Sequence, residues 1–209
     1  MLYKETVKPA TLGLLKELMT LPELKQFRLV GGTALSLLLG HRESIDLDLF
    51  TDIPFDRNLI VNKLTDTFPL FSFEGEKSPR LFFTFINNVK VDFVNTFEKF
   101  SYDINVVDDI RFAATEEIIA LKLNAIAGRG AKKDFWDLYE LLNTFSFEQM
   151  IGFYQHRYPN NSLMMIVKSI TYFAQADIEP DPTCRRNLKW ETIKREIVKK
   201  FNIYIQSKN

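Results

Sequence analysis

The sequence predicts an α+β protein, a mixed α/β half with a small sheet followed by an all-helical half. Three observations carry that reading. A short apolar run, Phe27 to Val30, stops at Gly31-Gly32 and gives way to a breaker-free stretch from Thr33 to Leu39, the pattern of strand, tight turn and helix. Two β-rich runs, Arg80 to Ile86 and Val89 to Asn95, are joined by Asn87-Asn88, a pair that tolerates the positive φ of a two-residue hairpin turn. Strand signals fade after about residue 113, and helical periodicity takes over. The expected division is an α/β core over 1–112 and a helical half over 113–209 packed on that core.

The elements follow in order. Pro9 suits a helix start, and Leu12, Leu15, Leu18 and Met19 recur at helical spacing behind it. After the glycine turn and its helix, Ile45 to Phe50 alternates as a half-buried strand, with Ile45, Leu47 and Leu49 on one face and Asp46 and Asp48 on the other. Leu59 to Phe68 reads as a helix. On the second hairpin strand Val89, Val91 and Phe93 share one face, and Lys90, Asp92 and Val94 share the other, where Asp92 is the unusual residue. Helices are expected at 115–128, 132–144, 147–155 with 162–175, and 190–201, the last two separated by Pro180-Asp181-Pro182.

Composition narrows the class. At 209 residues with 46% hydrophobic content and 19 phenylalanines, the chain can bury a well-filled core. Acidic and basic residues balance at 27 each, so no overall positive field draws nucleic acid. Cys184 is the only cysteine and there are two histidines, too few for the usual zinc site, and a reducing cytoplasm fits. The N-terminus lacks the unbroken apolar core of a signal peptide, and no window reaches a membrane span.

Candidate chemistry gathers at two places. Aspartates at i and i+2 of a strand leave the same face about 7 Å apart, within reach of a shared divalent ion. The same spacing also suits the solvent face of an edge strand. The Gly31-Gly32-Thr33 turn presents backbone N–H groups at a helix N-terminus, a favourable place for phosphate, where Thr33 offers a hydroxyl or serves as N-cap. Phosphoryl transfer needs a phosphate cradle and metal carboxylates together. Farther on, Thr115 can cap a helix on which Lys122 and Arg129 lie seven residues apart and share a face. Asp134 and Asp137 near the next helix start read equally as solvated, dipole-favoured acids. His41 and Arg42 follow Gly40 where cations suit a helix C-terminus. From Arg185 to Lys208 eight basic residues face two acidic ones, a solvated helix face or a grip for RNA, anchored by Trp190 and Phe201.

GGTALSLLLGHRESIDLDLF resembles the first motif of the polymerase-beta-like nucleotidyltransferase superfamily, and Asp92 in VKVDFV fits the third carboxylate of that core. With KLNAIAGRGAKKDFWDLYELL, the chain more closely resembles the AbiEii/AbiGii-type nucleotidyltransferase toxins of bacterial toxin–antitoxin systems. The resemblance implies a polymerase-beta-like core with Asp46, Asp48 and Asp92 binding Mg2+ or Mn2+. It implies nucleotide contacts from Gly31, Gly32, Thr33, Arg42, Ser44, Lys122, Arg129, Lys133 and Asp134, with Lys122 also catalytic. The expected substrates are a nucleoside triphosphate (ATP, GTP, CTP or UTP) and an RNA (tRNA) or protein acceptor, and the expected partner is a cognate antitoxin. Two other functions share the motif: a non-catalytic nucleotide- or partner-binding protein, and a small-molecule nucleotidyltransferase of the antibiotic-modifying type. Retention of all three carboxylates argues against the first. The lack of a concentrated acidic surface for a polycationic sugar argues against the second.

Overall fold

The computed structural model describes residues 1–73, 78 and 80–208. It divides into two compact units, one of residues 1–40 and 44–114 and one of residues 41–43 and 115–209. No helix among the described residues is long and apolar enough to cross a membrane.

The first unit is built on a seven-stranded mixed sheet. A one-turn 3-10 helix, Lys4–Thr6, precedes α1, Pro9–Thr20, with Pro9 in its first turn and Leu14, Leu15, Leu18 and Met19 buried. β1, Arg28–Val30, runs straight into α2, Gly31–Leu39, which ends on Gly40 in the left-handed conformation. β2, Leu47–Thr51, follows, then α3, Arg57–Thr67, whose N-cap Asp56 accepts hydrogen bonds from the N–H groups of Asn58 and Leu59. β3, Phe71–Phe73, β4, Leu81–Ile86, and β5, Val89–Asn95, come next, and β6, Asn105–Val107, and β7, Ile110–Phe112, complete the sheet. The strand order is β3-β4-β5-β2-β1-β7-β6, with β2–β5 and β1–β7 parallel and the other pairs antiparallel.

The β4–β5 hairpin turns through Asn87 and Asn88 at φ 50° and 63°, as their sequence predicts. Asp108 and Asp109 do the same between β6 and β7, at φ 51° and 64°. That second hairpin is absent from the sequence expectation because three-residue strands are too short to show alternation. The expectation also placed Ile45 on the core face of the metal strand. Pairing begins only at Leu47, and Ile45 is 61% exposed; before it Arg42 and Ser44 make isolated bridges outside the sheet. Phe82 and Phe93, on the core face of β4 and β5, stack at 4.8 Å and are joined by Phe27 and Phe55 in a closed ring of aromatic contacts.

The second unit is helical. α4, Thr115–Gly128, buries Ile118, Ile119, Leu123 and Ile126 and packs on α5, Lys132–Leu141, α6, Phe147–Arg157, and α7, Leu163–Ser169. Ser146 and Gln149 form a capping box that starts α6. The single helix expected over 162–175 is instead α7 followed by a turn and the short α8, Ala174–Asp177. The turn carries the Phe173 ring to 4.9 Å from Phe135 and 5.6 Å from Trp190, so tertiary packing overrides local helical preference there. α9, Trp190–Gln206, buries Trp190, Ile193, Ile197 and Phe201 along one stripe.

Candidate active site

Strand register places the acidic residues of the first unit. In the parallel β2–β5 pair Leu47 and Leu49 lie opposite Val91 and Phe93, and Asp48 lies opposite Asp92. The four apolar side chains are buried, so the alternation of the pleat puts Asp48 and Asp92 together on the other face. Val30 is the β1 partner of Asp48, and the chain therefore enters α2 beside the Asp48 carboxylate. Gly31 occupies this point at φ +72°, and a Cβ on it would lie 2.2 Å from Asp48 Oδ2. Conformation and close approach each require glycine. The N-cap of α2 is Val30, whose apolar side chain makes no capping hydrogen bond.

Thr33 is not that cap. Its buried hydroxyl donates to the Asp46 carbonyl and shares a 2.8 Å hydrogen bond with Ser44 Oγ. Ser44 N–H in turn donates to the Thr6 carbonyl at 3.0 Å. Thr33 and Ser44 thus fix the segment leading into β2. Asp46 sits in that segment, half-buried and one residue short of the paired strand.

Lys90, which the sequence placed on the face of Asp92 without a role, has its ammonium 2.5 Å from Asp92 Oδ2. Residues i and i+2 of one strand are neighbours on a face, so this ion pair was legible in the alternation of β5. Among the described residues no group of three or more His, Cys, Asp or Glu is gathered to hold a metal ion by itself. Mg2+ is commonly bound by one or two carboxylates, with water and substrate phosphates completing its shell. Asp48 and Asp92 fit that donor set: hard oxygens on opposed positions of adjacent strands, with the Asp48 carboxylate lying in the space a side chain at residue 31 would fill.

The second unit holds a buried charge network. Asp137, fully buried, accepts from Arg42 Nε at 2.7 Å and Nη2 at 2.8 Å and pairs with His41 Nε2 and Lys122 Nζ, each at 2.7 Å. Asp134, also fully buried, takes Lys122 Nζ at 3.0 Å and both Nε and Nη2 of Arg129 at 2.9 and 3.0 Å. Burial pushes the Asp137 carboxyl up, but the charges of Arg42 and Lys122 and hydrogen bonds from His41 and Arg42 outweigh it and hold the group well below the usual carboxylate range. Asp134 is likewise lowered, burial being overcome by Lys122 and Arg129. Burial lowers Arg42 and Lys122, yet Asp137 and Asp134 leave both raised. All four groups are therefore charged at neutral pH.

Lys122, on α4, and Arg129, in the turn that follows it, do converge, and the point of convergence is Asp134. Asp134 and Asp137 are not solvated acids at a helix start; Lys122, Arg129, His41 and Arg42 enclose them. Arg129 keeps its side chain 59% exposed while gripping Asp134. Lys133 points outward, and its buried neighbour Lys132 pairs with Asp181 at 3.0 Å. His41 does not cap α2 but fixes Asp137, whose central place the sequence reading missed. Its position three residues after Asp134 on α5 was the available signal. Much of the basic excess after Arg185 is matched within the unit: Arg186 with Glu140 at 2.6 Å, Lys194 with Asp177 at 2.8 Å, and Lys208 with Glu148 at 2.6 Å. Trp190 anchors the segment by stacking on Trp136 at 5.5 Å.

Comparison with known proteins extends this geometry. Residues 13–202 match the family described as "Nucleotidyl transferase AbiEii toxin, Type IV TA system". An uncharacterised protein of Aquifex aeolicus (strain VF5) is 28% identical over 211 residues, covering 92% of this chain and 95% of that protein. JHP933 from Helicobacter pylori superimposes with a TM-score of 0.54 at 17% identity, over 94% of this chain and 92% of that one. MenT4, a nucleotidyltransferase toxin from Mycobacterium tuberculosis H37Rv, gives 0.53 at 16% identity, over 90% and 83%. At such low identity the superpositions establish a shared fold.

Proposed function

The chain belongs to the AbiEii nucleotidyl transferase toxin family and is a nucleotidyltransferase; from that premise we propose that it transfers a nucleoside monophosphate from a nucleoside triphosphate to an acceptor hydroxyl, using Mg2+ or Mn2+ held by Asp48 and Asp92 with Asp46 in support. The observation that carries this reading is the Asp48–Asp92 pair on adjacent parallel strands, beside an obligatory glycine at the start of α2. The ion supplies charge neutralisation on the transferring phosphoryl group. Gly31 and Gly32 present main-chain N–H groups to phosphate oxygens, and Thr33 and Ser44 hold the approach to β2 rigid. An Asp92 carboxylate oxygen takes the proton of the acceptor hydroxyl as the hydroxyl oxygen bonds to the α-phosphorus. The bond from the α-phosphorus to the bridging oxygen breaks, and pyrophosphate leaves.

In the second unit Arg129 is the proposed direct contact with nucleotide phosphate, having an exposed guanidinium already oriented by Asp134. Lys122, shared between Asp134 and Asp137, adds positive charge and keeps Asp134 in place; Arg42 supports Asp137, and Lys133 is a further phosphate contact. The acceptor is RNA, notably a tRNA end, or a protein, the cognate antitoxin is the regulatory partner, and the cytoplasm is the compartment.

Incubation with each α-32P-labelled nucleoside triphosphate, Mg2+ and either total RNA or total cellular protein tests the proposal. Label is expected in one macromolecular fraction with one preferred nucleotide. Stabilisation by nucleoside triphosphate without transfer to any acceptor would identify a non-catalytic binder instead. Gly31→Ala is expected to cost about 100-fold in transfer, the typical effect of misplacing a catalytic group by about 1 Å. The same substitution should weaken Mn2+ binding measured by electron paramagnetic resonance, while unchanged transfer would show that the approach of Asp48 to Gly31 is immaterial.

A further inference from the structure

The sheet face that carries Asp48 and Asp92 does not end with them. In the antiparallel β4–β5 pair Phe83 lies opposite Asp92, and Phe85 lies opposite Lys90. Their neighbours Phe82, Thr84 and Ile86 are buried on the core face, whereas Phe83 and Phe85 are 42% and 44% exposed. One row across the sheet therefore reads Phe83, Asp92, Asp48, and the next brings Phe85 beside Lys90. The Lys90 ammonium lies 5.3 Å from the centroid of the Phe83 ring and 2.5 Å from Asp92. Two large aromatic rings thus stand two residues apart on the face that carries Asp92, each partly exposed. The core aromatic cluster is built from Phe82 and Phe93, which leave the opposite face of the same strands.

We propose that Phe83 and Phe85 form a base-stacking platform for the terminal nucleotides of a single-stranded nucleic-acid acceptor, with Lys90 as the cation for its backbone phosphate. The inference rests on the reading of Asp92 as the carboxylate that meets the acceptor hydroxyl. The Phe83 ring stands on the strand position paired with Asp92, on the side away from Asp48, so an acceptor whose hydroxyl reaches Asp92 brings its base over β4. Residues two apart on a strand are separated by about 6.8 Å, twice the 3.4 Å rise between bases along a nucleic-acid strand. Aromatic faces accept any base, and an ammonium among them matches a phosphodiester, the combination by which single strands are held without sequence preference.

Fluorescence anisotropy of a 5′-labelled six-nucleotide RNA of mixed sequence, titrated with the whole protein, tests the platform without catalysis. Phe83→Ala and Phe85→Ala are each expected to weaken RNA binding by about 10-fold, within the range for losing one base–aromatic stack. Affinity for a nucleoside triphosphate with Mg2+, measured by calorimetry, is expected to stay within about twofold. Phe83→Trp should restore RNA affinity, with indole emission quenched on binding, which a general folding defect would not produce. RNA affinity unchanged in both alanine variants overturns the platform, as does loss of nucleoside triphosphate affinity instead, which would assign the rings to the incoming nucleotide. Absence of RNA binding by the wild-type protein overturns it too. Absence of transfer by a wild type that binds RNA would defeat the reading of the carboxylates while leaving the platform standing.

Discussion

Asp48→Asn is expected to reduce transfer of labelled nucleotide by about 10³-fold or more, which corresponds to about 4 kcal/mol of transition-state stabilisation, while leaving the melting temperature unchanged or slightly raised. The two effects have one cause. Asp48 and Asp92 face each other across a strand pair, an arrangement in which like charges repel. Repulsion across the pair opposes folding, and Lys90 offsets part of it from the side of Asp92. Replacing one carboxylate by an amide of the same shape relieves repulsion but removes an anionic donor from a site that must bind a divalent cation. Transfer assays alongside thermal unfolding check the pair of outcomes. Retained activity would dissociate Asp48 from the chemistry, and a collapse of stability would make it a structural residue.

Asp137→Ala is expected to act in the opposite sense, through the fold. Removing one partner of a buried ion-pair network typically costs about 3–5 kcal/mol because the charges left behind are neither paired nor hydrated. Asp137 compensates Arg42 and Lys122, both buried. For a chain of this length the loss corresponds to a drop of roughly 6–20 °C in melting temperature.

The pH dependence follows from the shift directions. Asp137 and Asp134 are lowered in the folded protein, so the stability they contribute is fully present above the unfolded carboxyl value of about 3.9 and is lost as pH falls through the lower folded values. Lys122 is raised, so its contribution is complete below its unfolded value of about 10.4 and is lost as pH rises through the folded one. The stability gap between wild type and Asp137→Ala should therefore shrink as pH falls below about 4, as measured by urea unfolding at fixed ionic strength. A gap that persists unchanged in strong acid would mean that the Asp137 carboxylate does not carry the network.

What could be read beforehand was whatever repeats over several residues or is fixed by local chemistry. The Asn87-Asn88 turn, the alternation of β5 and the stripe of α4 all belong there. Short strands without a period, such as β6 and β7, do not. Nor did α7 and α8 announce the break at 170–173, since the force that bends the chain is the contact of Phe173 with rings distant in sequence. Ile45 misled for a related reason. Alternation of apolar and acidic residues continues through it, but hydrogen-bond pairing starts two residues later, and alternation without pairing says nothing about a face.

The sequence by itself determined the α+β order, the glycine turn ahead of an acidic strand, and the residue types that mark a nucleotidyltransferase, because each is written in local spacing. Only the tertiary structure decided which side chains meet. Parallel register put Asp48 opposite Asp92 rather than leaving Asp46 and Asp48 as the opposed pair, and antiparallel register put Phe83 beside Asp92. Burial converted Asp134 and Asp137 from candidate surface acids into the centre of a charge network. Register and burial depend on elements far apart in the chain, and no local window of sequence contains them.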